Sequence, residues 1–263
     1  MKKKQLTAEI QPSVGEYRAG SARILKGNIY TLSCFVSGPD ESWTKEEKKQ
    51  MLKKLRESLL WLEKQARRYN VSVNFDAKGV YWLEKDIKLP TIVRGTGSGN
   101  EPVDWVQKLL YKVGYSSTLD FIDWVTKNTN CTNTQVLIFV KGKGRSYAIP
   151  TTTKHNKERY FVEGAVLYQK YSTGREKPSA PIAHEILHLY GAWDLYETFR
   201  QSAENAQRAK KRYPNSIMLR SSVKNIDILE VDEISAWRVG WNTNPKDWYA
   251  TFEPNKPFTR NKK

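Results

Sequence analysis

Cysteine is scarce in this chain of 263 residues, with two, Cys34 and Cys131. That excludes a disulfide scaffold and a zinc cluster built on cysteine. No apolar run approaches the ~18 residues that cross a bilayer, so no membrane span is expected. The basic start, MKKKQLTAEIQPSVGEY, lacks the apolar core of ~7–15 residues that a signal peptide needs. The chain is therefore expected to act inside the cell unless an export segment has been removed. Internal repeats, low-complexity linkers and zinc-finger, RNP or helix-turn-helix signatures are missing as well. Acidic residues are in deficit: 28 Asp+Glu stand against 44 Lys+Arg, a formal net charge of +16. Such a surplus suits an acidic partner. That partner could be nucleic acid, an anionic surface or an acidic protein, but the dispersion of the charge along the chain fits lysine spread over a solvated surface, and no recognition motif favours nucleic acid. Histidine is the scarcest functional residue after cysteine, with three.

What remains is a globular inventory. Hydrophobic residues make up 39%, and the 9 Trp, 14 Tyr and 8 Phe are enough to build a core of the size that buries roughly 70–75% of the unfolded surface. Residues 27 to 37, GNIYTLSCFVS, are rich in β-branched and aromatic types and end at Gly38-Pro39, the pattern of a strand. Thr44 and Glu47 then form a capping box. Leu52, Leu55, Leu59, Leu62, Ala66 and Tyr69 follow at spacings of three and four, the apolar stripe of a long helix. Residues 71 to 75 alternate as a strand, and 85 to 101, with Pro90, Gly95, Gly97 and Gly99, read as loop. Helical patterns at 102 to 113 and 118 to 127 lead to strand-like runs at 135 to 141 and 160 to 170, joined by a Gly/Lys-rich loop. The order β-α-β-α-α-β-β predicts an α/β (α+β) fold, a mixed twisted sheet with packed helices.

The chemistry is concentrated at 184 to 196, HEILHLYGAWDLY. His184 and His188 are four residues apart, so on a helix both imidazoles project from one face. Two neutral imidazoles there can share a divalent ion, with Zn–N distances of roughly 2.0–2.1 Å. Glu185 stands beside such a metal rather than on it, where it can take a proton from water and pass it to a leaving group. Ser179 is positioned as N-cap, Pro181 suits the first turn, and Gly191 ends the helix. Beyond that turn, Asp194 returns a carboxylate to the two histidines. Two imidazoles, one carboxylate and an open fourth position make a catalytic Zn2+ site rather than a structural one.

His184-Glu185-x-x-His188-x-x-Gly191-x-x-Asp194 resembles the extended motif of the metzincin zinc peptidases, in the variant with aspartate as third ligand found in snapalysin-like enzymes and relatives of immune inhibitor A. Asp194-Leu195-Tyr196 is similar to the D-L-Y run of the latter group. Asn215-Ser216-Ile217-Met218 resembles the Met-turn, with Met218 as the methionine beneath the metal. Val231 to Trp241 looks like the C-terminal helix ending in G-W. The resemblance covers residues 180 to 241. It implies an N-terminal α/β subdomain, 1–191, that ends in the active-site helix. A mostly helical C-terminal subdomain, 192–263, completes one catalytic domain. By analogy, the strand at 160 to 170 is expected to be the antiparallel edge strand along the cleft, pairing with substrate backbone. Where some metzincins carry a tyrosine two residues after the Met-turn methionine, this chain has Arg220. Tyr190, Tyr196, Tyr213 and His155 are therefore the candidate oxyanion or substrate-binding groups. Glu233, in D-E-I-S-A-W, is a rival third ligand similar to the glutamate helix of thermolysin-like enzymes, but that scheme leaves Gly191 without a purpose.

The function implied is a zinc-dependent endopeptidase, with Glu185 as general base and then acid, acting on protein or peptide substrates of acidic character. A catalytically inactive peptide-binding module and a basic nucleic-acid-associated protein with a structural metal are the alternatives. Cys34 and Cys131, in or beside predicted strands, are expected to be buried thiols, and no propeptide with a cysteine switch is visible.

Overall fold

In the computed structural model, residues 20–77, 79–81, 86–88, 101–150 and 162–254 are described. They run in the order β1 (Gly27–Ser37), α1 (Lys45–Arg67), β2 (Val73–Asp76), β3 (Val80–Tyr81), β4 (Ile87–Lys88), α2 (Glu101–Lys112), α3 (Thr118–Asn128), β5 (Asn133–Lys143), β6 (Tyr147–Ile149), β7 (Gly164–Lys170), α4 (Ala180–Leu189), α5 (Ala203–Arg212) and α6 (Glu233–Arg238). The sheet order is β2-β1-β5-β7-β6, with the short β3 and β4 also pairing β1. All pairings are parallel except β6 with β7. The result is a mixed α/β fold with a mostly parallel sheet. No described helix is long and apolar enough to cross a membrane.

Side-chain alternation sorts the sheet into two faces. Ile29 and Phe35 of β1, Leu137 and Phe139 of β5, and Ala165 and Leu167 of β7 share one core with α1 and α4. Leu32, Cys34 and Val36, with Val136, Ile138, Val140 and Val166, point the other way into a second core with α2 and α3. Burial on both faces is why the central strands read as continuous apolar runs. The first core continues without a break into Ile217, Met218, Ile234, Trp237, Trp241 and Phe252, so the segments on either side of residue 191 share one interior.

The predicted capping box is present: Thr44 Oγ1 accepts from the Glu47 amide at 3.2 Å, and Glu47 accepts from the Thr44 amide at 2.9 Å. Three expectations need correction. The strand at 164–170 is not the sheet edge, because it is held parallel to β5 on one side and antiparallel to β6 on the other. The antiparallel edge strand is β6, three residues from the stretch expected to be loop. Strand β5 also runs past 141, through a register shift between Val140 and Lys143 that Gly142 absorbs at φ +96°. The loop expected at 85 to 101 lies largely outside the described residues. Within it, Ile87–Lys88 pairs β1 and Asp86 forms a buried ion pair with Lys48 at 2.7 Å.

Candidate metal centre

Helix α4 is buried almost all round, as a helix wedged between a sheet and other helices must be. Pro181 lies in its first turn. Ser179, expected as the N-cap, is itself helical in φ/ψ and makes no side-chain cap; its carbonyl instead accepts from the Ile182 amide at 2.9 Å and from Ser58 Oγ of α1 at 2.8 Å. The C-terminus closes as a Schellman motif. Gly191, at φ +93°, donates to the His188 carbonyl at 3.0 Å, and Ala192 donates to the Leu187 carbonyl at 3.1 Å. Only glycine adopts that backbone without strain, and the turn it makes sends Trp193 and Asp194 back over the helix face that carries both histidines.

Three donor atoms converge there. His184 Nε2 and His188 Nε2 are 3.1 Å apart. Asp194 Oδ1 lies 3.1 Å from His188 Nε2 and 3.4 Å from His184 Nε2. Ligands at roughly 2.0–2.1 Å around a tetrahedral zinc sit about 3.3 Å from one another, so the trio has the spacing that one ion requires. The other nitrogen of each ring is committed: His184 Nδ1 donates to the Ile217 carbonyl at 3.0 Å, and His188 Nδ1 donates to the Ala192 carbonyl at 2.8 Å. A carbonyl can only accept, so each Nδ1 carries a proton and each Nε2 faces the shared centre. Burial disfavours a charged His188, yet the Asp194 carboxylate outweighs it and lifts the imidazole to about 9, so at neutral pH its Nε2 also carries a proton, which a bound cation would displace. Against its own burial, Asp194 is held far below the usual carboxylate range by His188 and His184. The centre favours a cation.

The residues expected to form a Met-turn contact this centre. Met218 is fully buried, and its carbonyl accepts from the amide of Leu195, next to Asp194, at 2.9 Å. Its neighbour Ile217 supplies the carbonyl that orients His184. Ser216 Oγ accepts from the Met218 amide at 3.0 Å and donates to Asp232 at 2.6 Å. Asp232 caps α6. A chain of contacts thus runs from α6 through the turn to the His184 imidazole.

Glu185, 7% exposed, lines a cavity of about 430 Å³ together with His184, His188, Asp194 and Tyr196. Of the three oxyanion candidates among the described residues, Tyr196 alone is found on that wall. Its ring centroid lies 6.2 Å from that of His184, and its hydroxyl accepts from Arg145 Nη2 at 3.4 Å. Burial raises Tyr196 above the ordinary tyrosine range, so it keeps its O–H. Tyr190 is wholly buried away from the cavity, turned inward by the helix end on which it sits. Tyr213 donates to Glu233 Oε1 at 2.8 Å instead. His155 lies outside the described residues. Glu233, the rival ligand, is saturated elsewhere by Tyr213, Tyr249 at 2.7 Å and Lys246 at 2.6 Å. Burial opposes ionisation of Glu233, but Lys246 and the two phenols hold it down at about 2.

Sequence reasoning missed three groups. Arg238 is buried, donates from Nε to the Gly191 carbonyl at 3.0 Å and stacks on Trp193 with its guanidinium 4.2 Å from the ring centroid; it braces the turn that delivers Asp194. Lys177 is buried behind the cavity and donates to Ser146 Oγ at 2.7 Å. Burial lowers its pKa to about 8. Arg145 enters the wall from the β5–β6 connection. None stands at a spacing that links it to the histidine motif. Compared with known proteins, the chain matches no family model and no curated protein.

Proposed function

We propose that this chain is a zinc-dependent endopeptidase with a metzincin-type site. The observation that carries this reading is the convergence of His184 Nε2, His188 Nε2 and Asp194 Oδ1 at one centre, beside Glu185 on the wall of an open cavity. His184, His188 and Asp194 would hold Zn2+, which when bound supplies Lewis acidity toward a carbonyl oxygen and a water. Hydrolysis adds that water across the peptide bond: its oxygen joins the carbonyl carbon, and the C–N bond breaks. Glu185 takes one proton from the water and passes it to the leaving nitrogen. Tyr196 O–H, directed by Arg145, donates to the carbonyl oxygen as it becomes negative.

The edge strand supports a polypeptide substrate. β6 ends the sheet order, and Tyr147, Ala148 and Pro150 line the same cavity as the histidines. An extended chain added there would complete the sheet and bring its backbone past Glu185. Replacing Glu185 with Gln keeps the shape and removes the base. Peptide cleavage should fall by at least about two orders of magnitude while zinc content stays near that of the unmodified protein. Cleavage that survives the substitution refutes the mechanism.

A further inference from the structure

Lys177 is a buried cation that the hydrolytic steps leave unused. It is 5% exposed, and its ammonium lies over the rings of Tyr168 and Tyr171, 5.8 and 5.4 Å from their centroids. Its side chain donates to Ser146 Oγ at 2.7 Å. Burial lowers its pKa to about 8, and the Glu185 carboxylate acts against that fall. At neutral pH the ammonium therefore keeps its proton and can only donate. Ser146 Oγ receives a second hydrogen bond, from the Tyr168 amide at 3.1 Å. A hydroxyl has two lone pairs and one proton. With both lone pairs taken, Ser146 can only donate further, and among the described residues no acceptor takes its proton. Ser146 borders the cavity that Glu185 and the two histidines also line. Burying a lysine lowers stability through desolvation, and groups perturbed in this way gather at functional sites.

The geometry points to Ser146 as a substrate-binding donor: its hydroxyl holds a backbone carbonyl of the bound peptide that flanks the scissile bond. Lys177, behind it, is the positioning residue that fixes the direction of that proton. The place in the sheet suits this role. Ser146 immediately precedes Tyr147, the first residue of β6, so its hydroxyl extends the row of donors that an edge strand offers an added chain. A cation donating to the serine oxygen also strengthens its O–H as a donor, because linked hydrogen bonds polarise one another. The inference rests on the peptidase reading, which it deepens by naming a group that grips the substrate backbone. Tyr196 serves the carbonyl that reacts; Ser146 serves one that does not.

Binding to the Glu185→Gln variant of the full chain, with zinc supplied at neutral pH, tests this without turnover. The probe is a short fluorescent peptide, capped at both ends, chosen as the tightest binder of a randomised pool. Its analogues carry a thiocarbonyl, a weaker acceptor, in place of one backbone carbonyl at a time. One analogue should bind about three- to tenfold more weakly than the parent, and adding Ser146→Ala should abolish that one difference. Ser146→Ala should weaken the parent itself by the same factor, and Ser146→Thr, which keeps the hydroxyl, should restore it. Ser146→Cys keeps the volume with a weak donor and gives the same comparison where the alanine variant does not fold. Lys177→Met puts an apolar chain of similar length in a buried site that tolerates it. It should weaken the parent alone but add nothing to Ser146→Ala, a coupling that a lysine serving only the fold does not produce. The proposal is overturned by undetectable binding of the whole pool or by a thiocarbonyl profile unchanged in Ser146→Ala. Full-strength binding by Ser146→Ala, or additive losses from Ser146→Ala and Lys177→Met, overturn it as well. Cleavage by the unmodified protein is scored separately, so its absence refutes the peptidase reading while the thiocarbonyl comparison still decides this one.

Discussion

Removing the Asp232 carboxylate should weaken both the fold and the metal centre. Asp232 is 3% exposed. Its Oδ1 accepts from the Ile234 and Ser235 amides at 3.0 and 2.9 Å, and its Oδ2 accepts from the hydroxyls of Ser216 and Ser235 at 2.6 and 2.7 Å. Substitution by alanine uncaps α6, a loss of ~1 kcal/mol. It also leaves two buried hydroxyls without their acceptor, at ~1 kcal/mol each. The sum is about 3 kcal/mol, an upper figure because burial already raises the pKa of this carboxyl and its removal recovers some desolvation. For a domain of this size the melting temperature should fall by roughly 6–12 °C. Ser216 also orders the turn that offers the Ile217 carbonyl to His184, so zinc affinity should drop about tenfold or more. Urea titration and chelator competition on Asp232→Ala measure both effects. Stability within ~0.5 kcal/mol of the unmodified chain refutes the estimate. Lost stability with unchanged zinc affinity refutes the coupling through the turn.

Tyr196→Phe removes the one candidate oxyanion donor that lines the cavity among the described residues, and no proposed metal ligand; kcat should fall about tenfold to a hundredfold with KM and zinc content nearly constant, as steady-state kinetics and elemental analysis will show. Acid unfolding should begin below the ordinary glutamate range. Burial opposes it, yet Glu47 is held at about 2 by Lys141 and the Thr44 amide, and Glu233 at about 2 by Lys246. Both folded values lie below the unfolded ones. The stability they contribute is therefore present above pH ~4.5 and lost as pH falls from there toward 2. Equilibrium unfolding across that window should show the loss, and Glu233→Gln should flatten it.

The elements legible in the sequence were those whose signals are local. β1 ends at Gly38-Pro39 and α1 begins at a capping box, so their bounds follow from a few neighbouring residues. The candidate metal trio was legible for the same reason, since helical spacing and one glycine turn bring His184, His188 and Asp194 together within eleven residues. Helix α5 was missed because it buries only Ala209 and so shows almost no apolar stripe. β3 and β4, two residues each, are shorter than any pattern. The edge strand was misassigned because strand order depends on pairing across the sheet, and β7 is as apolar as a central strand for the reason that it is one. Arg145 and Arg238 reach the site across 51 and 47 residues of chain, and nothing in their immediate sequence marks either as part of it.

Metal content tests the central claim most directly. Elemental analysis of the purified chain, with Asp194→Ala and Glu233→Ala alongside, should find about one zinc per chain, lost in the Asp194 variant and retained in the Glu233 variant. Absence of bound metal in the unmodified chain after zinc is supplied, or retention in Asp194→Ala with loss in Glu233→Ala, contradicts the account.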